Sequence, residues 1–320
     1  MLNRRKFLRN TAAIAAGSLM VPETMFAAPP LLKHIGIQFF SLPKMLEKDL
    51  SGTLAMLAKM GYKEVELYGP YPFSTEPARK RWDAVTPQLG FSGSGFFGHS
   101  TAEVKKLMKA NGLKVPSMHT DLDTLKNNMG QLGEAAQQLG VEYVVLPAIP
   151  DEIRQTLDDY KKIAESFNHI GESAKKNGVK FTYHNHGYGI SPVEGKIPLQ
   201  IILDGTDPSL VYLEMDLFWT IAGGADPLVY LEKYKGRYRC MHVKDMSKAA
   251  RFSGDGGNAQ QWIALFPFMT TAGNGVLDLK TILAKASETD VQHFFVEQDM
   301  VAEPEIALKK SIDYLAKLQK

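Results

Sequence analysis

The amino-acid sequence predicts an α/β fold, a (β/α)8 TIM barrel, on three observations. From Leu32 onward short apolar runs alternate with longer helical patterns, the arrangement that forces parallel strands joined by crossover helices. Eight such runs can be counted, whereas an open doubly wound sheet stops at about five or six and carries a Gly-rich phosphate turn; neither a GxGxxG string nor a P-loop is present. Helical patterns also end on glycine just before the next run, as in Met60-Gly61-Tyr62, Asn111-Gly112-Leu113, Leu139-Gly140-Val141 and Asn177-Gly178-Val179.

The chain opens with Asn3-Arg4-Arg5-Lys6-Phe7-Leu8-Arg9, an apolar stretch from Thr11 to Met20, and Met25-Phe26-Ala27-Ala28-Pro29-Pro30. Charge, apolar run and small residues in that order predict a signal peptide over residues 1–28, and the adjacent arginines give it a twin-arginine character. The expected destination is the periplasm. The apolar stretch is too short to cross a bilayer, so no stable transmembrane span is expected after cleavage. A barrel domain is expected over residues 31–320, with strands at His34 to Phe40, Lys63 to Tyr68, Lys114 to His119, Glu142 to Leu146, Val179 to His184, Leu210 to Asp216, Tyr238 to Lys244 and Gln292 to Glu297. Helical patterns fall at Asp49 to Met60, Thr101 to Ala110, Leu122 to Leu139, Glu152 to Lys176, Pro227 to Tyr234, Leu277 to Ser287 and Pro304 to Leu318. Two stretches, Tyr71 to Ser100 and Met246 to Gly275, are too long for plain connections. They follow strands two and seven, which puts both over the C-terminal face, where such barrels place their active sites.

Composition narrows the function classes. With 44% hydrophobic and 22% charged residues the chain can bury a large core, which excludes disorder. Its 37 basic and 35 acidic residues leave a net charge of +2, so no broad field for a nucleic-acid backbone exists and no nucleic-acid partner is expected. A single cysteine, Cys240, excludes an intramolecular disulfide framework and the ordinary thiolate zinc cluster.

Side chains alternate along a strand, so each strand offers two sets. In strand six Val211, Leu213 and Met215 oppose Tyr212, Glu214 and Asp216; in strand seven Met241 and Val243 oppose Cys240, His242 and Lys244. Strand eight sets Phe294 and Val296 against Phe295 and Glu297, and strand five sets Phe181 and Tyr183 against Thr182, His184 and His186. The same inward parity holds Ser117 and His119 in strand three, Glu64 and Glu66 in strand two and Gln38 in strand one. So many ionisable groups inside a barrel call for a ligand or metal, or for an internal network that satisfies them. Histidine and carboxylate without thiolate suit one divalent ion, Mn, Co, Zn or Mg. Asp216, His242 and Glu297 are the expected ligands, and His184 is either the fourth or a substrate contact. An ion there would polarise a substrate carbonyl and acidify the adjacent C–H, so Glu297, His184, His186 and Lys244 are the catalytic candidates. Gln38, Glu66, His119 and Trp219 are the substrate-binding candidates. Lys244 and His119 could instead pair with Asp245 and neighbouring carbonyls, and Trp219, Phe39, Phe40 and Tyr68 either stack on a sugar ring or serve packing.

The strings Tyr183-His184-Asn185-His186, Glu214-Met215-Asp216-Leu217-Phe218-Trp219, His242-Val243-Lys244-Asp245 and Val296-Glu297-Gln298 resemble those of the sugar phosphate isomerase/epimerase family with the xylose isomerase-like TIM barrel fold. Ala272-Gly273-Asn274-Gly275-Val276-Leu277-Asp278 is similar to that family's Gly-x-Gly-x-x-Asp element. The resemblance covers essentially the whole chain after the leader. It implies a divalent metal held by Asp216, His242 and Glu297, and a sugar, keto sugar or inositol derivative as substrate. In the ketose 3-epimerase branch a strand-five glutamate shares metal binding and proton exchange with the strand-eight glutamate, and here that position is His184. The Tyr-His-x-His string is more similar to the inosose dehydratase branch, where proton removal beside a carbonyl is followed by loss of an oxygen substituent. The expected activity is therefore a metal-dependent sugar isomerase or epimerase acting on a non-phosphorylated sugar or keto sugar. The alternatives are a lyase or dehydratase eliminating from keto sugars, inososes or 3-keto glycosides, and a non-catalytic sugar-binding barrel.

Overall fold

The strands of this chain are buried on both parities, as parallel strands are when helices cover the sheet. A computed structural model describes residues 31–299 and 301–318; the leader expected over residues 1–28 lies outside the described residues. Eight parallel strands form the closed barrel: β1 (Gly36–Gln38), β2 (Glu64–Tyr68), β3 (Lys114–His119), β4 (Tyr143–Leu146), β5 (Lys180–His184), β6 (Val211–Asp216), β7 (Tyr238–Val243) and β8 (His293–Val296). Each pairs with its sequence neighbours, and β8 returns to β1 with Gly36 opposite Phe295 and Ile37 opposite Val296. All eight expected strands are present, trimmed by up to two residues at each end.

The outer helices are set by local caps. Ser100 and Thr156 each form a capping box, opening Thr101–Ala110 and Leu157–Lys176, and Gly61 (φ 114°) ends Leu50–Met60 in the left-handed region that its missing Cβ permits. Leu157–Lys176 starts five residues later than the expected Glu152, because Thr156 caps it there. The expected helix Leu122 to Leu139 is two, Leu122–Asn127 and Met129–Leu139, broken at Asn128, whose side-chain amide donates to the Phe73 carbonyl at 2.7 Å. A helix at Pro198–Gly205, between β5 and β6, was not read from the sequence.

Inside the ring the parity reading holds. Tyr143, Val145, Cys240 and Phe295, with Tyr212 against them, form an apolar plug of their own. Both long stretches carry a helix of their own, Glu76–Leu89 and Ala259–Leu265. The second is pinned by a small antiparallel pair, Asp245–Met246 with Met269–Thr270. Among the described residues no helix is long and apolar enough to cross a membrane.

Candidate functional site

The C-terminal strand ends deliver the site. β5 and β6 end on His184 and Asp216, while Lys244 and Glu297 follow β7 and β8 directly. Register places His184 opposite Glu214 and Asp216 opposite His242. Asp216 also caps the helix Leu217–Ala222, its Oδ1 accepting from the Trp219 amide at 2.9 Å, so Oδ2 is left to face the barrel axis.

Two cups of donor atoms share His242. In the outer cup one donor atom each from Asp216, His242 and Glu297 lie within 4.8 Å of one another, and His184 Nε2 is 3.8 Å from Asp216 Oδ2. In the inner cup His119, His184, Glu214 and His242 meet the same distance, and Glu66 closes it at 2.5 Å from His242 and 3.2 Å from His119. All of these groups are buried. A nitrogen and oxygen set without sulfur fits a divalent ion, and in the outer cup Asp216 Oδ2 is buried with ion-pair contacts but no hydrogen-bond partner among the described residues.

Lys244 supplies the counter-charge. Its Nζ lies 3.0 Å from Asp216 Oδ2, 2.7 Å from Glu297 Oε2 and 2.7 Å from Asp299 Oδ2. Burial opposes its charge, but the three carboxylates hold it well above the usual lysine range. Burial likewise works against Glu297, and Lys244 and His242 overcome it to keep the carboxylate ionised. Asp299 moves the other way, raised to about 7 by burial and by Glu297. Glu214 is raised to about 7 by burial and Glu66. Against burial, Glu66 and Glu214 raise His119 to about 9. Burial and the nearby His242 hold His184 neutral. His186 is pushed down to about 3 by burial and Lys244; its Nδ1–H donates to the Pro147 carbonyl, which leaves Nε2 as its lone pair.

A cavity of about 750 Å³ opens above these groups. Gln38, His119, His184, His186, His242, Lys244 and Glu297 line it, which brings most of the expected site residues together. Glu66 does not reach it; its carboxylate takes hydrogen bonds from Gln38 at 2.7 Å and from Ser117 beneath the floor. Trp219 is also outside: one ring face stacks on Phe252 at 5.5 Å and another contact is His186, so no face is left for a sugar. Phe40 and Tyr68 do line the cavity, whereas Phe39 does not. Sequence reasoning missed Asp299 and Trp262. The only trace of Asp299 was its place two residues beyond Glu297, and Trp262 lies on the second insertion, its ring 5.0 Å from His186. Both insertions build the rim, the first through Ala78, Arg81, Trp82 and Val85, the second through Gly257, Asn258, Ala259 and Trp262.

The Gly-x-Gly string has a structural role. Asp245, next to Lys244, accepts from the amides of Met246 (2.8 Å), Gly273 (2.9 Å), Gly275 (3.0 Å) and Leu277 (3.3 Å). A Cβ on Gly275 would lie 2.2 Å from Asp245 Oδ1, so only glycine lets the loop close on that carboxylate. Asp278 then caps Leu279–Glu288.

Residues 54–318 match the family model described as a xylose isomerase-like TIM barrel. An inosose dehydratase of Clostridium tetani is 29% identical over 283 residues, spanning 86% of this chain and 89% of that protein. Among solved structures, a sugar phosphate isomerase/epimerase from Parabacteroides distasonis superposes with a TM-score of 0.67 at 24% identity, covering 92% of this chain and 96% of that one. The IolI protein with a bound zinc atom superposes with a TM-score of 0.61 at 16% identity over 89% of this chain and 96% of its own.

Proposed function

The chain belongs to the xylose isomerase-like TIM barrel family, and from that premise we propose that it is a divalent-metal-dependent enzyme that removes a proton alpha to a carbonyl of a non-phosphorylated, sugar-like ketone and then eliminates water. The observation that carries this reading is the outer cup of Asp216, His242 and Glu297, of which His242 and Glu297 line the cavity of about 750 Å³ while Asp216 lies buried behind them. The inosose dehydratase relative supports elimination over isomerisation, and so does His184 at the strand-five position. Isomerisation or epimerisation shares the first step and is the second reading.

A bound ion would be held by Asp216, His242 and Glu297, with His184 beside them, and would supply carbonyl polarisation. The surrounding side chains do the rest. Glu297 is ionised at neutral pH, as a proton acceptor must be, and it lines the cavity. Asp299, raised to about 7 in the same cavity, is the competing acid or base. The neutral His186 presents Nε2 for a substrate hydroxyl. In elimination the alpha C–H and the beta C–O bonds break, C=C forms between them, and the proton leaves with the hydroxyl as water. The cavity-lining Arg81, Arg154 and Lys244 are already paired, with Asp123, with the Ile149 and Gly257 carbonyls, and with three carboxylates. Arg154 and Lys244 are buried in those contacts, and among the described residues lining the cavity only the half-exposed, Asp123-paired Arg81 could turn to a phosphate, which supports a non-phosphorylated substrate.

The test is turnover of inososes, free keto sugars and 3-keto glycosides by metal-loaded protein in deuterated water. Loss of water gives an unsaturated product, whereas isomerisation or epimerisation gives labelled sugar. Absence of solvent exchange at any alpha carbon across the panel, with the ion bound, would favour the non-catalytic sugar-binding barrel instead.

A further inference from the structure

Two histidines of the site face two ways. His242 turns Nδ1 to Glu297 at 2.7 Å and Nε2 to Glu66 at 2.5 Å. His184 turns Nε2 toward Asp216 at 3.8 Å and Nδ1 to Glu214 at 2.9 Å. A neutral imidazole has one lone pair and one N–H, so when one nitrogen gives its lone pair to an ion the other carries the proton and needs an acceptor. Glu66 and Glu214 stand at those second nitrogens, one per histidine. Neither lines the cavity, so neither can meet substrate. Glu66 is itself locked, with Gln38 donating to Oε2 and Ser117 to Oε1, and His119 lies 2.8 Å from Glu214 Oε2.

We propose that Glu66 and Glu214 are positioning residues that keep the proton on His242 Nε2 and His184 Nδ1, so that His242 Nδ1 and His184 Nε2 present their lone pairs to a divalent ion in the outer cup. The inference rests on the reading that the ion belongs in that cup. The competing idea, that the inner cup holds a second ion, meets two obstacles. His242 would have to ligate with both nitrogens, which requires losing its ring proton altogether. With an ion in the inner cup alone, the His184 Nε2–H would face Asp216 Oδ2 from 3.8 Å, beyond hydrogen-bond length. An inner ion would also sit among carboxylates that substrate does not reach.

The experiment uses zinc as probe and full-length protein labelled with ¹⁵N-histidine. In the zinc-loaded wild type, two-bond ¹H–¹⁵N correlations should report zinc on His242 Nδ1 and His184 Nε2, with protons on the opposite nitrogens. Glu66→Gln and Glu214→Gln keep the volume and remove the charge. Each should weaken zinc by roughly 10- to 100-fold in chelator competition, with one ion per chain and an unchanged circular dichroism spectrum. Zinc on the opposite nitrogens, two ions per chain with one lost in these variants, or wild-type affinity in both would each overturn the proposal. The wild-type spectrum decides the matter even if a variant misfolds. A separate control, Asp216→Asn with Glu297→Gln, tests the cup itself. Full zinc retention there sinks the outer-cup reading, whereas zinc loss there with no effect at Glu66 and Glu214 sinks only the present one.

Discussion

Lys244 and a divalent ion would seek the same oxygens. Its ammonium is held by Asp216, Glu297 and Asp299 at 2.7 to 3.0 Å, and two of these carboxylates are the expected metal ligands. Replacing it with methionine keeps the stem packed and removes the competitor. Lys244→Met should therefore bind zinc or manganese about tenfold or more tightly, while the metal-free protein, left with uncompensated buried carboxylates, loses about 3–5 kcal/mol. Chelator competition and urea unfolding measure the two effects, and weaker metal binding would show that Lys244 supports the ion rather than opposing it. Glu297→Gln should suppress alpha-hydrogen exchange by on the order of a hundredfold per metal-loaded molecule. If Asp299→Asn does so instead, the base is Asp299. His119 gives a pH signature. Its folded value of about 9 lies above the unfolded 6.5, so its contribution is complete below pH 6.5 and is lost as pH rises through 9. Between pH 6 and 10 the metal-free wild type should lose on the order of 3 kcal/mol more stability than His119→Gln, measured by urea titration at each pH.

At the scale of the element, the loop clamped by Asp245 carries the most definite expectation. Four amides converge on one buried carboxylate, so Asp245→Ala strands several buried N–H groups and should cost about 2–4 kcal/mol by urea unfolding. A loss below about 0.5 kcal/mol would mean that water or a shifted loop replaces the carboxylate. This clamp shows what a sequence can carry. The Gly-x-Gly-x-x-Asp string was visible, but its physical cause was not, because the carboxylate it answers to lies 28 residues before Gly273. Strand parity was legible because alternation is local: Tyr212, Glu214 and Asp216 had to share a face. That reasoning brought Asp216, His242 and Glu297 to one end of the barrel, and the structure puts their donor atoms together. It could not tell depth. Glu66, Glu214 and Asp216 share the inward parity of Gln38 and His242 yet do not line the cavity, since depth depends on barrel stagger, which no single strand encodes. Trp219, open between stacking on a sugar and packing, packs, and a related reason hid the outcome. The second insertion covers its ring with Phe252 and offers Trp262 instead, and an insertion without strand periodicity gives no clue to which ring faces inward.

For the whole molecule, closure by β8 on β1 joins residues about 260 positions apart, so the barrel cannot complete until nearly the entire chain is available. A route that threads an unfolded chain across a membrane would delay that closure, and the capture of any ion, until after transport. We propose the opposite order for this protein. Arg4 and Arg5 precede a short apolar stretch, the pattern of a signal that carries folded cargo. The site groups that must meet, Glu66 on β2 and His242 on β7, come from distant strands, so ligand positioning requires the finished barrel. Folding and metal capture would then precede export, with the ion selected inside the cell. Residues 1–30 fused to a reporter that is active only after folding in the cytoplasm should direct it to the periplasm, and Arg4→Lys with Arg5→Lys should abolish that delivery. In the full-length protein the same double substitution should leave metal-loaded enzyme in the cytoplasm, detectable by fractionation with elemental analysis. Unchanged export of the double variant would remove the twin-arginine reading, and with it the argument that the ion is acquired before transport.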